Sequence, residues 1–393
     1  MVKKTIIFGA SEWGSIAFFY YKDKCNIIGY VDNDKKLWGS QLNGLTIYSP
    51  QVLQEEITVI IASKRYEKEI MNQINTEYKM IHEIICFRID EVFQKIHVEQ
   101  ISDPLKEELI IAFEGGLGNQ MFQYVLYKYF EKKEKNVRAD LSSYINFGVM
   151  PFQLEQVFPS IKLQEANLDK KEAYLRIRCI SKDDANTIVY IEPDIWHLPL
   201  YNANKEILKY DNGYIQGYHQ TYYYAQMVQD EIKNTFKFKK NEDRGLLYLT
   251  NLCKEKESIS IHIRRGDYLD RKYKRVFGDI CTIEYYMKSI QFLRGKFPDA
   301  FFVFFSNDIE WVKEHIQQDN AIYVTPQMFD TYVDWYDMYL MSVCKHNIIA
   351  NSSFSWWGAW LNDNPGKVVI APKRWINADN CYEDICPPQW VRI

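Results

Sequence analysis

The 393-residue chain has no run of about 18 apolar residues, so nothing in it reads as a transmembrane span. Its start, MVKKTIIFGA, is basic and then apolar, but Gly9, Ser11 and Glu12 break the apolar run. That stretch reads as a strand and not as a signal peptide. Positive charge is not in excess: 48 Lys and Arg against 52 Asp and Glu give a net charge of −4, which argues against nucleic acid as a partner. The eight cysteines include no C-x-x-C pair, and only Cys381 and Cys386 lie close together. In a chain able to bury a large core, scattered cysteines read as reduced residues of a reducing compartment. A cytoplasmic location follows, with association at the inner face of the membrane left open. Histidines spaced as metal ligands, the patterns of hydrolytic metal sites and a G-x-S-x-G elbow are missing too. The chain shows no internal repeat and no low-complexity tract.

What is present is ordinary for a globular protein of two or three domains: 47% hydrophobic and 25% charged residues. Aromatic content is high at 16%, with 29 Tyr and 10 Trp, which suits a bulky core and also suits stacking platforms for sugars.

Residues 1–100 alternate strand and helix patterns: TIIFGA, the helical SEWGSIAFFYYKD, CNIIGYVDND, EEITVIIAS, RYEKEIMNQINTEY and MIHEIICF. Such alternation predicts a parallel sheet with right-handed crossovers. A polar linker is expected around Gln100–Pro104. A second unit, 108–250, opens on LIIAFEGGLGNQMFQYVLYKYFEKK, strand to glycine turn to helix. A third, 255–393, opens on SISIHIRRGDY and continues through DAFFVFFSND, NAIYVT, DMYLMSVCKH, NIIANSSFSWW and KVVIAPKRW as a second Rossmann-like sheet.

Candidate chemistry sits where these strands end. Ile259, Ile261 and Ile263 alternate along a half-buried strand, and Arg264, Arg265, Gly266 and Asp267 follow at its carboxyl end. Ligands of open α/β sheets bind at such ends, and guanidiniums there suit a phosphate, although an ion pair with Asp267 on a plain loop reads equally well. In GGLGNQMFQY, Gly116 and Gly118 allow backbone N–H groups to approach a ligand at a helix start, while Asn119 also suits a simple cap. Asn351, Ser352 and Ser353 place further donors at a helix start. Near the amino terminus, GASEWG (9–14) with Asp32 is a partial dinucleotide turn with Ser11 in place of the middle glycine. Asp32-Asn33-Asp34 matches a D-x-D metal motif by chance.

Taken together, GGLGNQMFQY, SIHIRRGDYL, FFSNDIEW, DMYLMSVCKHNIIANSSFSWWGAWL and VIAPKRW resemble the alpha-1,2-fucosyltransferases of glycosyltransferase family 11, in order from about 108 to 393. The first hundred residues lie outside that likeness and resemble the Rossmann-like amino-terminal lobe of bacterial sugar O-acyltransferases. The resemblance implies a GT-B-type, two-lobed α/β fold, with an acceptor-side lobe from 108 and a GDP-sugar lobe from 255. It implies inverting, metal-independent transfer of L-fucose from GDP-L-fucose to the 2-hydroxyl of a terminal galactose, on a free or lipid-linked glycan, with no cofactor. On the same footing Arg264 binds the β-phosphate and Arg265 supports its loop. His262 lies against the guanosine, and Asp308 beside Asn307 contacts guanine or ribose. Ser352, Ser353 and Ser355 complete the diphosphate cradle, and Asn351, with Gly116, Gly118 and Gln120 of the glycine turn, is counted among the substrate contacts. Asn119 orients acceptor or sugar. Asp267 is the first candidate for the acceptor's proton, with locking of Arg265 as its alternative role. Two rivals stay open: another GDP-linked sugar, and a nucleotide-binding oxidoreductase or sensor built on the first lobe. A homodimer held through that lobe is open as well.

Overall fold

The computed structural model describes residues 4–54, 56–63, 66–78, 81–87, 108–147, 151–167, 189–191, 205, 207–377 and 384–393. The expected linker around Gln100–Pro104 lies outside the described residues.

Among the described residues three sheets form. The first contains β1 (Lys4–Phe8), β2 (Asn26–Val31), β3 (Gln41–Leu42), β4 (Leu45–Tyr48), β5 (Ile57–Ile61) and β6 (Ile81–Cys86), in the order β3-β4-β2-β1-β5-β6. All its pairings are parallel except the β3–β4 hairpin. Helices α1 (Glu12–Tyr21) and α2 (Glu67–Glu77) connect its strands. The central strands β1 and β5 are buried on both faces, which is why TIIF and ITVII are unbroken apolar runs and not alternating ones.

The second sheet, ordered β8-β7-β10-β9, is wholly parallel: β7 (Leu109–Ala112), β8 (Val137–Asp140), β9 (Val189–Ile191) and β10 (Gly213–Gln216). From it come α3 (Leu117–Lys132) and the short α4 (Ser142–Phe147). After α5 (Arg244–Glu255) the third sheet follows in the order β13-β12-β11-β14-β15-β16, again parallel. Its strands are β11 (Ser258–Ile263), β12 (Phe301–Ser306), β13 (Ala321–Tyr323), β14 (His346–Ile348), β15 (Val369–Ala371) and β16 (Val391–Arg392). The helices that matter below are α6 (Ile283–Lys296), α7 (Ile309–His315), α8 (Trp335–Val343) and α9 (Ser353–Trp360). β11 is buried at every position, including Ser258, Ser260 and His262, so it is a central strand and not the half-buried one its alternation predicts.

The tryptophans of NSSFSWWGAWL join the second and third sheets. Trp356 and Trp357 are fully buried, and their rings lie 4.7 and 4.9 Å from that of Phe122 on α3. Trp357 Nε1 donates to the Gly118 carbonyl at 3.0 Å. One continuous core therefore runs from Leu109 to Trp390 across both lobes. Each fully buried aromatic contributes roughly 2–3 kcal/mol by area. The lobes are welded at the base of the cleft they enclose.

Candidate active site

Both transferase-like sheets contain a topological switch. In the second, β7 leads outward to β8 while β10 and β9 lie on its other side; in the third, β11 leads to β12 and β13 while β14 and β15 lie opposite. A crevice opens at the carboxyl ends of strands at such a point. The two crevices face one another and form one cleft of about 730 Å³. Its wall includes Glu114–Asn119 after β7, Tyr218 and Gln220 after β10, His262 and Arg264 at the end of β11, and Asn351–Phe354 after β14.

On the second-lobe wall, Gly115 adopts φ +77°, and a Cβ there would stand 2.6 Å from the Asn119 amide nitrogen. Gly118 is more constrained. A Cβ would lie 2.6 Å from Ser353 C and 2.7 Å from Phe354 N, so two helix starts touch through the absence of a side chain. Asn119 spans the same junction: its Oδ1 accepts from Gln220 Nε2 and from Ser353 Oγ, each at 2.8 Å. Gly116 occupies the N-cap position of α3 and lines the cleft. Gln120 does not. It is fully buried, donates to the carbonyls of Gly115 and Pro151, and accepts from the N–H groups of Gln153 and Leu154. All its polar capacity braces the turn, which corrects its expected place among substrate contacts.

The third-lobe wall separates the paired arginines. Arg264 lines the cleft, with its guanidinium 5.7 Å from the Tyr268 ring centroid. Arg265 turns away. Its backbone N–H donates to Asn307 Oδ1 at 2.9 Å, its Nε donates to Asp308 Oδ2 at 2.9 Å, and its guanidinium lies 3.6 Å from the centre of the Trp311 ring on α7. Asp308 holds Arg265 through Oδ2 and is not among the cleft-lining residues, whereas its neighbour Asn307 is. Asn307 lines the cleft while its Oδ1 serves the arginine loop. The Asp267 side chain lies outside the described residues.

The loop after β14 divides in the same way. Asn351 is 2% exposed, and its amide donates to the carbonyls of Phe277 and Trp375, tying three loops together. Ser352, at the N-cap position of α9, faces the cleft and its side chain makes no capping bond. Ser353 faces it too, bonded to Asn119. Ser355 is fully buried within the first turn of α9, near the carbonyls of Ala350 and Ser352, and is no part of a cradle.

Two buried polar atoms at the cleft find no hydrogen-bond partner among the described residues: His262 Nδ1 and Asp337 Oδ1. Burial, reinforced by the Arg264 charge, drives the His262 pKa down to about 3, so its ring is neutral. Asp337 stands in the first turn of α8. Burial raises its pKa to about 7, a hydrogen bond from the Tyr332 hydroxyl to Oδ2 (3.1 Å) opposes the rise, and nearby Asp334 adds to it. Asp337 carried no assigned role in the sequence reading. It sits in a mainly apolar helical run, WYDMYLMSV, and an acid on such a run was the available signal. Glu114, which follows β7 and precedes the glycine turn, lines the cleft. Lys36, from the first lobe, does so as well.

The first lobe's turn is occupied by its own chain. Asp32 Oδ2 accepts from Ala10 N–H and Oδ1 from Asp34 N–H, both at 2.8 Å. The carboxylate that would hold a ribose is already bonded to backbone, which weighs against the dinucleotide reading. Among the described residues no group of three or more His, Cys, Asp or Glu is placed to hold a metal ion, and no helix is long and apolar enough to cross a membrane.

Comparison with known proteins adds an independent line. The model of glycosyl transferase family 11 matches residues 73–393, and that described as C2185-like, N-terminal, matches 1–102. An alpha-1,2-colitosyltransferase of Escherichia coli is 32% identical over 302 residues, covering 72% of this chain and 98% of that protein. The O-antigen biosynthesis glycosyltransferase WbnK of Escherichia coli is 31% identical over 303 residues, 71% of this chain and 98% of its own length. Galactoside alpha-(1,2)-fucosyltransferase 1 of Homo sapiens is 30% identical over 106 residues, 26% of this chain and 28% of that one. Among solved structures, the ADP-heptose lipopolysaccharide heptosyltransferase II of E. coli aligns over 99% of this chain and 90% of its own, at 10% identity and a TM-score of 0.28.

Proposed function

Starting from a chain that belongs to glycosyl transferase family 11, we propose that it transfers L-fucose from GDP-L-fucose to the 2-hydroxyl of a terminal galactose, with inversion and without a metal. The observation that carries this reading is the cleft itself. A permanently charged guanidinium, the start of α9 and two buried unpaired polar atoms converge at one switch point.

Each part has a use in that reaction. The acceptor oxygen bonds to C1 of fucose as the bond from C1 to the β-phosphate oxygen breaks. GDP leaves with one more negative charge, and the acceptor's proton passes to a carboxylate. Arg264 and the N–H groups at the start of α9, where Ser352 and Ser353 stand, meet the growing phosphate charge. Preorganised donors of this kind typically supply about 3–4 kcal/mol each. Guanine presents N1–H and an exocyclic amine side by side, a pair that one carboxylate can accept together. Asp337, with an oxygen left unpaired, suits that edge, and the neutral His262 ring suits the nucleoside beside it. Asn119 holds the Ser353 hydroxyl and positions sugar or acceptor next to Gly116 and Gly118. Asp267, in the arginine motif, and Glu114, on the opposite wall, are the two carboxylates that compete for the proton.

A second donor is favoured by one observation. The colitosyltransferase resembles this chain over nearly its whole length, and colitose differs from L-fucose only in lacking the 3-hydroxyl. The test is a transfer assay in EDTA offering GDP-fucose and GDP-colitose to galactose-terminated acceptors, with product linkage read by NMR. Transfer of fucose to O2 of galactose is the expected result. Preference for GDP-colitose replaces the donor and keeps the mechanism; failure of GDP to bind at all overturns the reading.

A further inference from the structure

The first lobe touches the cleft at one turn, and that turn is unusually well anchored. Asp32 accepts from the N–H groups of Ala10 and Asp34. Asp34 Oδ1 accepts from Lys36 N at 3.0 Å and caps the turn Lys35–Leu37. Trp38 Nε1 donates to the Asp32 carbonyl at 2.7 Å, and the amides of Asn33 and Gln73 bond to each other reciprocally at 2.9 and 3.1 Å. Immediately beyond, β3 packs against α4 of the second lobe. The DND sequence, with Asp32 and Asp34 bonded to backbone, builds a platform that presents Lys36 to the cleft, whose lining also includes Glu114, Ser143 and Tyr144.

Charge makes that placement informative. Among the described residues lining the cleft the acids are Glu114, Asp270, Asp334 and Asp337, and the cations are Lys36 and Arg264. Arg264 ends β11 in the third lobe, whereas Lys36 comes from the first lobe, whose β3 packs against α4 of the second. A lysine ammonium is a compact, flexible point charge and meets an anion without requiring a planar partner. We propose that the first lobe is part of the acceptor site, and that Lys36 is a specificity-determining residue engaging an anionic group, phosphoryl or carboxylate, on the acceptor glycan. The assignment of that wall to the acceptor rests on the function proposed above.

The test measures acceptor binding to the enzyme–GDP complex by calorimetry, with transfer followed in parallel. Three probes share a terminal galactose: a short-chain alkyl glycoside, the same glycan as an alkyl diphosphate, and a disaccharide carrying a uronic acid. Wild-type protein is expected to bind a charged probe more tightly than the neutral one. Lys36→Glu should weaken the charged probe roughly tenfold relative to the neutral one, as expected when attraction at an exposed pair becomes repulsion. Lys36→Arg should restore binding, and high salt should shrink the difference. Which charged probe responds identifies phosphate or carboxylate as the source. Equal affinities for all three probes in wild type, or an unchanged charged-to-neutral ratio in Lys36→Glu with GDP affinity intact, overturns the proposal. Binding that depends on Lys36 but is followed by no transfer supports the anion site and counts against the donor or reaction assigned above.

Discussion

Replacing Asp337 by Asn is the sharpest probe of the nucleotide site, because it removes a charge while keeping the side chain's size and its ability to accept from Tyr332. If the carboxylate receives guanine's N1–H and amine together, two charge-assisted bonds are at stake. Losing the charge should cost about 3 kcal/mol, roughly a hundredfold in GDP affinity. IDP lacks the exocyclic amine, so wild type should prefer GDP to IDP by about tenfold, and Asp337→Asn should nearly erase the preference. Acidity gives a second axis. Burial holds the free carboxyl at a pKa of about 7, and only the ionised form accepts both donors. Between pH 8 and pH 6 the ionised fraction falls about tenfold, so the wild-type Kd for GDP should rise about tenfold over that range. The variant lacks this component, and its own pH dependence corrects for titration of the phosphate. Calorimetric titrations of GDP and IDP at pH 6, 7 and 8 for both proteins supply every number. A variant that binds GDP within threefold of wild type, with the GDP-to-IDP ratio unchanged, refutes the assignment.

Four further outcomes follow from the same geometry. Arg264→Ala should keep its thermal transition and lose at least a hundredfold in turnover, the scale of one lost charge-stabilising donor; retention of more than a tenth of wild-type activity would exclude it from that role. Gly118→Ala places a Cβ 2.6 Å from Ser353 C and should cost about 1–3 kcal/mol, seen as a lowered Tm with reduced transfer; an unchanged Tm would show that the two helix starts are not in contact. His262, held near pKa 3, should keep neutral-ring NMR shifts from pH 5 to 9, and a titration near 6.5 would contradict its burial. Finally, Asp337 titrates higher folded than unfolded, so its contribution to stability is complete below about pH 4 and is lost as pH rises through about 7. Asp337→Asn should therefore stabilise the ligand-free protein by up to about 4 kcal/mol at pH 8 and scarcely at pH 4, and a Tm difference independent of pH would refute the cause given for the shift.

The strands were legible because buried parallel strands leave unbroken apolar runs, as in TIIF, ITVII and FFVFF, and the glycine turn was legible because only glycine permits two helix starts to touch. The division of labour within the motifs was not. Arg264 and Arg265 are adjacent and chemically identical, yet one faces the cleft while the other is held against Asp308 and Trp311. Ser353 and Ser355 differ in the same way, as do Asn119 and Gln120. Sequence states how many hydrogen bonds a side chain can make but not how many the fold has already used, and the unused capacity is what a ligand meets. By that criterion Gln120 and Asn351 are spent on architecture, and His262 and Asp337 are not. Asp32 extends the argument beyond the transferase lobes. Its position after β2 reads as a ribose ligand, but two backbone N–H groups claim its oxygens, so the turn it organises, and not the carboxylate itself, is what reaches the cleft. Under the proposal made above, the functional part of that motif is Lys36, two residues past the acid that caps the turn and invisible to any search for nucleotide fingerprints.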